Sequence, residues 1–289
     1  MISCATSSRR TDMERLVYYL ISQGRRRIAL VGFWRGSIND TIFYHAAMGA
    51  ATRYCAPIPE HAAYFWNNQL TESLVPFIQN SSQFDAAICP NDTVALCLVR
   101  FCRQNKIAIP GDLYLTGISN MEIGRYCDPS LTTLGMDFHS IGCETLNVWH
   151  YIQDHLPRQT SIKVLVPGKL IIRASTDFKP ELPYTFLNNI PNCAPEGNPD
   201  NQFFTDQLIN ALIRVENCLH QCDELDQKIL VGMMQGKSYE SLAEALFLSV
   251  SAIRYRRNRI FKNADVKTRA AFEELMRENI SSAKQQSDD

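Results

Sequence analysis

Residues 84–120 read FDAAICPNDTVALCLVRFCRQNKIAIPGDLYLTGISN. Two short apolar runs, AAICP and LYLTGIS, stand either side of VALCLVRFCRQ, whose length and spacing predict a helix. A strand with one face in water alternates apolar with polar residues. A strand buried on both faces is apolar throughout, and these runs are of the second kind. A strand, a helix and a second strand in that order predict a parallel sheet covered on both sides.

The same alternation continues upstream. ERLVYYLISQG has a helical pattern closed by Gly24 and leads into the apolar run of RRRIALVGF. A helical stretch, FYHAAMGAATRY, then the strand-like AAYFW and the helix SLVPFIQ complete the series. Residues 1–176 are therefore expected to form an α/β domain with a parallel sheet. Between residues 177 and 202 the pattern stops. Pro180, Pro183, Pro191, Pro195 and Pro199, with Gly197, cannot continue a helix or a central strand, so a linker is expected there.

Beyond the linker only helices are predicted. In residues 203–224, Phe204, Leu208, Leu212, Val215 and Leu219 form an apolar stripe. The stripe suits either packing within its own domain or dimerisation. From residue 225, LDQKILVGMMQG reads as a helix ended by Gly236, SYESLAEALF as a short helix opened by Ser238, and AIRYRRNRIFKN as a third after a break at LSVS. Two short helices joined by a tight turn describe a helix-turn-helix, expected within residues 225–280 and followed by a disordered tail at 281–289. Its second helix must be polar and basic on the groove side. Seven cations lie between Ser249 and Arg269 with one acid, Asp265, although the chain as a whole has 29 Lys+Arg against 30 Asp+Glu. A merely solvated face would intersperse acids, and none lies between Ser249 and Ala264. Ser249, Ser251, Arg254, Tyr255, Arg256, Arg257, Arg259 and Lys262 are the expected contacts to double-stranded DNA.

Composition narrows the other classes. Hydrophobic residues make up 45% and charged residues 20%, ordinary for a globular protein. The ten cysteines scatter without a C-x-x-C pair, and MISCATSSRR has no apolar signal core, so reduced thiols in a cytoplasmic protein are expected. No apolar stretch approaches the roughly 20 residues of a membrane span. Neither a metal set nor a cofactor motif emerges, and no Gly-rich phosphate loop, H-E-x-x-H or G-x-S-x-G suggests an enzyme.

Two resemblances sharpen this. LDQKILVGMMQGKSYESLAEALFLSVSAIRYRRNRIFKNADVKTRAAFEEL resembles the LuxR-type DNA-binding domain, with Gly236, Ser238, Leu242, Ala243, Leu246, Leu248, Ser249, Ala252, Ile253, Arg254 and Arg256 at that family's positions. It departs at Ala252, Arg259 and Asn263–Asp265. SQGRRRIALVGF, FDAAICPNDTVALCLVRFCRQNKIAIPGDLYLTGISN, DPSLTTLGMDFHSIG and LIIRAST together resemble the ligand-binding domain of LacI/GalR regulators, which is built like periplasmic sugar-binding proteins. That resemblance covers about residues 11–176 and implies one lobe, the first lobe being largely absent. It also implies that the helix near 139–157 lacks its usual cover, and it sets ligand groups at Trp66, Asn91, Asp92, Ser119 and Phe138. Trp66 is equally readable as core, and Asp92 as a helix cap. Ala46 and Ser119-Asn120 stand where the family has a clamping arginine and an acid.

The expected protein is a homodimeric, DNA-binding transcriptional regulator with a sugar-like effector, in which the helix at 203–222 alters dimer geometry. The alternative is a sugar- or protein-binding module that does not bind DNA.

Overall fold

The computed structural model describes residues 3–155, 161–176 and 206–279. These fall into two compact units, one of residues 3–120 and 131–176, the other of residues 121–130 and 206–279. The linker at 177–202, Phe204 and the tail at 281–289 lie outside the described residues.

The first unit alternates as its sequence predicts. Strand β1 (Cys4–Ser7) leads to α1 (Arg9–Ser22), β2 (Ile28–Trp34), α2 (Ile38–Arg53), β3 (Ala63–Trp66), α3 (Thr71–Asn80), β4 (Ala86–Ile88), α4 (Asp92–Gln104) and β5 (Tyr114–Ile118). After residues 121–130, which belong to the second unit and include the short α5 (Ile123–Tyr126), come β6 (Thr132–Gly135), α6 (Phe138–His155), β7 (Lys163–Val166) and β8 (Lys169–Ile171). The main sheet has the order β3-β2-β4-β5-β6-β8, with every pair parallel except β6 with β8. β4, β5 and β6 are buried at every residue, as strands covered on both faces must be. Leu16, Val17 and Leu20 of α1, with Leu74 and Phe77 of α3, are fully buried.

β1 and β7 form a separate two-stranded parallel sheet, and α6 packs on both. α6 buries Val148 but exposes Phe138, Leu146, Trp149 and Tyr151.

The second unit is helical throughout its described residues: α5, α7 (Gln207–His220), α8 (Glu224–Met234), α9 (Tyr239–Ala245), α10 (Val250–Asn263) and α11 (Arg269–Asn279). The stripe on α7 is not free for dimerisation. Leu212 and Val215 are fully buried and Leu219 nearly so, together with Ile209 and Cys218, and the helix packs on α5, α10 and α11.

One interior group in the first unit is poorly satisfied. Asp12, in the first turn of α1, is 1% exposed; its Oδ1 accepts the Gly168 N–H at 2.9 Å, while Oδ2 has no hydrogen-bond partner among the described residues. Gly168 sits between that oxygen and the Gly135 carbonyl, where a Cβ would meet them at 3.1 and 2.7 Å. Burial raises the pKa of this carboxyl against the lowering effects of the Gly168 N–H and Arg15. A carboxyl raised on folding favours the folded state in acid, and that support is lost as pH rises through its folded pKa. Asp12→Asn keeps an acceptor for Gly168 and removes the ionisation. It is expected to stabilise the protein at pH 7 by about 1 kcal/mol, with the gain shrinking toward pH 4; thermal melts at the two pH values check this.

Candidate functional site

Two regions gather the residues singled out in the sequence. The first is the edge of the main sheet at the carboxyl ends of its parallel strands, where open α/β sheets bind ligands. Asn91 follows β4, Ser119 follows β5 and Phe138 follows β6, and these three strands are neighbours. The Asn91 Oδ1 caps α4 by accepting the Val94 N–H at 2.9 Å. Ser119 has φ 123° and donates its N–H to the Leu134 carbonyl at 2.9 Å. Asn91 and Ser119 are half-buried, and Phe138 is exposed.

The other two expected ligand groups are interior. Trp66 is 1% exposed, with its Nε1–H on the Gly32 carbonyl at 3.0 Å, so its ring is core and cannot stack on a sugar at this edge. Asp92 is fully buried and accepts the Thr133 hydroxyl at 2.6 Å. Gly117 makes room for it, since a Cβ there would lie 2.2 Å from Asp92 Oδ1. The same Thr133 oxygen accepts the Asn120 N–H at 3.2 Å, and Arg173 Nη2 donates to Asn120 Oδ1 at 2.7 Å. Asp92 therefore knits strands together, while at the strand ends Asn91, Ser119 and Phe138 present neutral hydrogen-bonding groups and one aromatic ring.

The second region is α10. Ser249 caps it by accepting the Ala252 N–H at 3.2 Å, and Ile253, Ile260 and Phe261 are buried on its inner side. Ser251, Arg254, Tyr255, Asn258 and Lys262 are exposed, and their spacing of three, one, three and four residues sets them on one face. Among the described residues Arg254 pairs with Glu240 alone, at 4.0 Å with both side chains more than half exposed, a weak pair in water.

The remaining arginines are held by the protein. Arg256 Nη1 donates to Asp223 Oδ2 and Asp226 Oδ1, both at 2.8 Å. Arg259 pairs with Asp226 and, at 3.2 Å, with Asp223. Arg257 stacks between rings, 5.2 Å from the Tyr239 centroid and 5.4 Å from that of Phe261. Its Nε is buried with no hydrogen-bond partner among the described residues. All four arginines were expected to face a polyanion, and the structure corrects this for Arg256, Arg257 and Arg259. The neutralising acids do lie outside the window from Ser249 to Ala264, on the first turn of α8 and just before it, where Asp223 and Asp226 form a capping box. Asn258, on the exposed face, and Asp223 and Asp226, the neutralising acids, were absent from the expected set. The D-x-x-D spacing before an apolar run was the signal for the box.

Glu216 of α7 was also missed. Its carboxylate accepts the N–H groups of Glu122 and Ile123 at 2.8 and 2.7 Å, tying α7 to the segment that leaves the sheet just after Ser119 and Asn120.

The first unit is thus an open, mostly parallel α/β layer of the kind that binds small molecules at its strand ends. The periplasmic binding protein-like domain family matches residues 17–176, more than half of the chain, and the chain belongs to that family. The transcriptional repressor CytR of Escherichia coli (strain K12) is 26% identical over 168 residues, covering 55% of this chain and 48% of the relative. An HTH-type transcriptional regulator of Lachnoclostridium phytofermentans is 24% identical over 166 residues, with the same coverage. The chain spans about half the length of these relatives. The solved structure of the Escherichia coli transcriptional repressor AscG shares the fold, with a TM-score of 0.51 and 18% identity over 59% of this chain and 62% of that one. Among the described residues no helix is long and apolar enough to cross a membrane.

Burial pulls the Asp223 carboxyl up, but the Arg256 hydrogen bond and charge, the Asp226 N–H and the Arg259 hydrogen bond outweigh it and hold the pKa at about 2. A carboxyl depressed on folding stabilises above its unfolded pKa, and that support is lost as pH falls through the folded value. The helical unit is expected to lose stability between about pH 4, the unfolded carboxyl range, and about pH 2. Asp223→Asn, which retains the cap, should lower stability at pH 7 and flatten that acid limb. Calorimetry of the full chain across this range checks both.

Proposed function

We propose that the chain is a ligand-responsive transcriptional regulator in which α9 and α10 form a LuxR-type helix-turn-helix on operator DNA. One observation carries this: α10 buries Ile253 and Ile260 while turning Ser251, Arg254, Tyr255, Asn258 and Lys262 outward together. That face combines cations for phosphate with polar side chains that can reach base edges. The names of the relatives, a transcriptional repressor and an HTH-type transcriptional regulator, agree with it. Asn91, Ser119 and Phe138 suit an uncharged, sugar-like effector, because they offer hydrogen bonds and a ring surface without a charge. Occupancy of that edge would act on the helical unit, within which α7, readable from the sequence as suited either to packing or to dimerisation, is packed on its neighbours. Action on DNA as a homodimer and residence in the cytoplasm belong to the same proposal.

Binding to a fluorescent duplex, titrated with salt, tests the interface. Affinity should fall steeply with salt, and Arg254→Ala or Lys262→Ala should each lower the logarithmic slope by about one. Arg256→Ala should instead weaken the fold by about 1–3 kcal/mol, because Asp226 is buried beneath it. A slope unchanged by Arg254→Ala and Lys262→Ala together would sink the groove assignment.

The neutralisation of Arg256 and Arg259 favours one other reading, a solute-binding module whose helices serve protein contacts. It predicts thermal stabilisation by monosaccharides with no salt-sensitive affinity for DNA, and a melting screen run beside the titration separates the two.

A further inference from the structure

The connection between α9 and α10 carries two local penalties. The Leu248 N–H donates to the Ala243 carbonyl at 2.9 Å and the Phe247 N–H to the Glu244 carbonyl at 3.3 Å. This nested pair ends a helix through one left-handed residue. α8 ends by the same device, with Lys237 bonded to Gly232 and Gly236 to Met233, both at 3.0 Å. There the left-handed residue is Gly236, at φ +77°, which glycine adopts freely. In α9 it is Phe247, at φ +55°, where a Cβ is strained. The Phe247 ring is also 96% exposed, more than any other large hydrophobic side chain among the described residues. Strain and an uncovered aromatic group together point outward, to a partner.

The charge around the ring says which partner. Phe247 lies two residues before Ser249, the cap of α10, and the exposed face of that helix carries Arg254 and Lys262 with no acid on the helix. Tyr255, 73% exposed, stands on the same face. A cationic face with exposed aromatic rings complements a polyanion that also presents apolar groups. On a DNA duplex the apolar group of the major groove is the thymine 5-methyl.

We propose that Phe247 is an apolar contact to duplex DNA, seated against thymine methyl groups beside the helix that enters the groove. It rests on the reading of α9 and α10 as a DNA-binding pair. On that basis the left-handed phenylalanine is a specificity element, fixed by the helix stop so that the ring projects rather than folding back.

The test uses the full chain and a duplex enriched from a random-sequence pool by the wild-type protein. Phe247→Gly is the informative variant, because glycine relieves the backbone and the melting temperature should hold or rise. Its affinity for the enriched duplex should fall on the order of tenfold, with the salt slope unchanged, since no cation is lost. Replacing thymine by deoxyuridine should weaken the wild type by a similar factor and leave Phe247→Gly unaffected. Affinity equal to wild type in the variant, or a loss equal on both duplexes, would overturn the contact, including the case in which the ring serves a protein partner. Either result leaves the DNA reading standing. A wild type that shifts no duplex would remove that reading, and this contact with it.

Discussion

Two carboxylates at the start of α8 decide how α10 lies. Asp223 and Asp226 close the first turn of their own helix and grip Arg256 and Arg259 of another. Asp226 is fully buried, and a buried carboxylate is tolerated only when cations and donors surround it. The two arginines meet that need, and in doing so they fix the rotation of α10 about its axis. Ile253 and Ile260 set the inner side, the ion cluster holds a flank, and Arg214 donates to the Ala264 and Asp265 carbonyls beyond the C-terminal end. What is left outward follows from that rotation.

The arginine cluster shows where sequence reading stops. Hydrophobic spacing correctly set Ile253 and Ile260 inward, because apolar burial follows the helical period and needs no knowledge of neighbours. The fate of a guanidinium group depends on a partner, and here the partners lie 30 and 33 residues upstream of Arg256 at Asp226 and Asp223. Counting acids within one window could not find them. The central strands were legible for the same reason as the isoleucines, since β4 and β5 are apolar on both faces. β1, β7 and β8 were not distinguished by pattern. Each has three or four residues, and their half-exposed positions dilute any period.

At the ligand edge the difficulty was one of depth. A polar pair at the end of a strand looks alike in sequence whether it meets solvent or sheet. Asn91 stays half-buried as a cap, while Asp92 is drawn inside because Gly117 on the neighbouring strand leaves space that any side chain would fill. Trp66 is likewise withdrawn by the bond from its indole N–H to Gly32. The three expected groups that remain at the edge, Asn91, Ser119 and Phe138, are themselves neutral. Groups of this kind distinguish partners by the direction of hydrogen bonds and by ring contact, and offer no charge of their own to a carboxylate or phosphate.

The chain also interleaves its two units. Residues 121–130 interrupt the sheet sequence between β5 and β6 yet cluster with the C-terminal helices. Ser119 and Asn120, both at positive φ, form the step between the two. Asn120 is anchored on the sheet side by Thr133 and Arg173, and two residues later Glu122 is anchored on the helical side by Glu216. Within the helical unit, α7 in turn packs on α10. A ligand can shift a chain between two arrangements of such a step only by the difference in its affinity for them. An effector of the proposed kind would therefore act only by bonding differently to Ser119 in each arrangement.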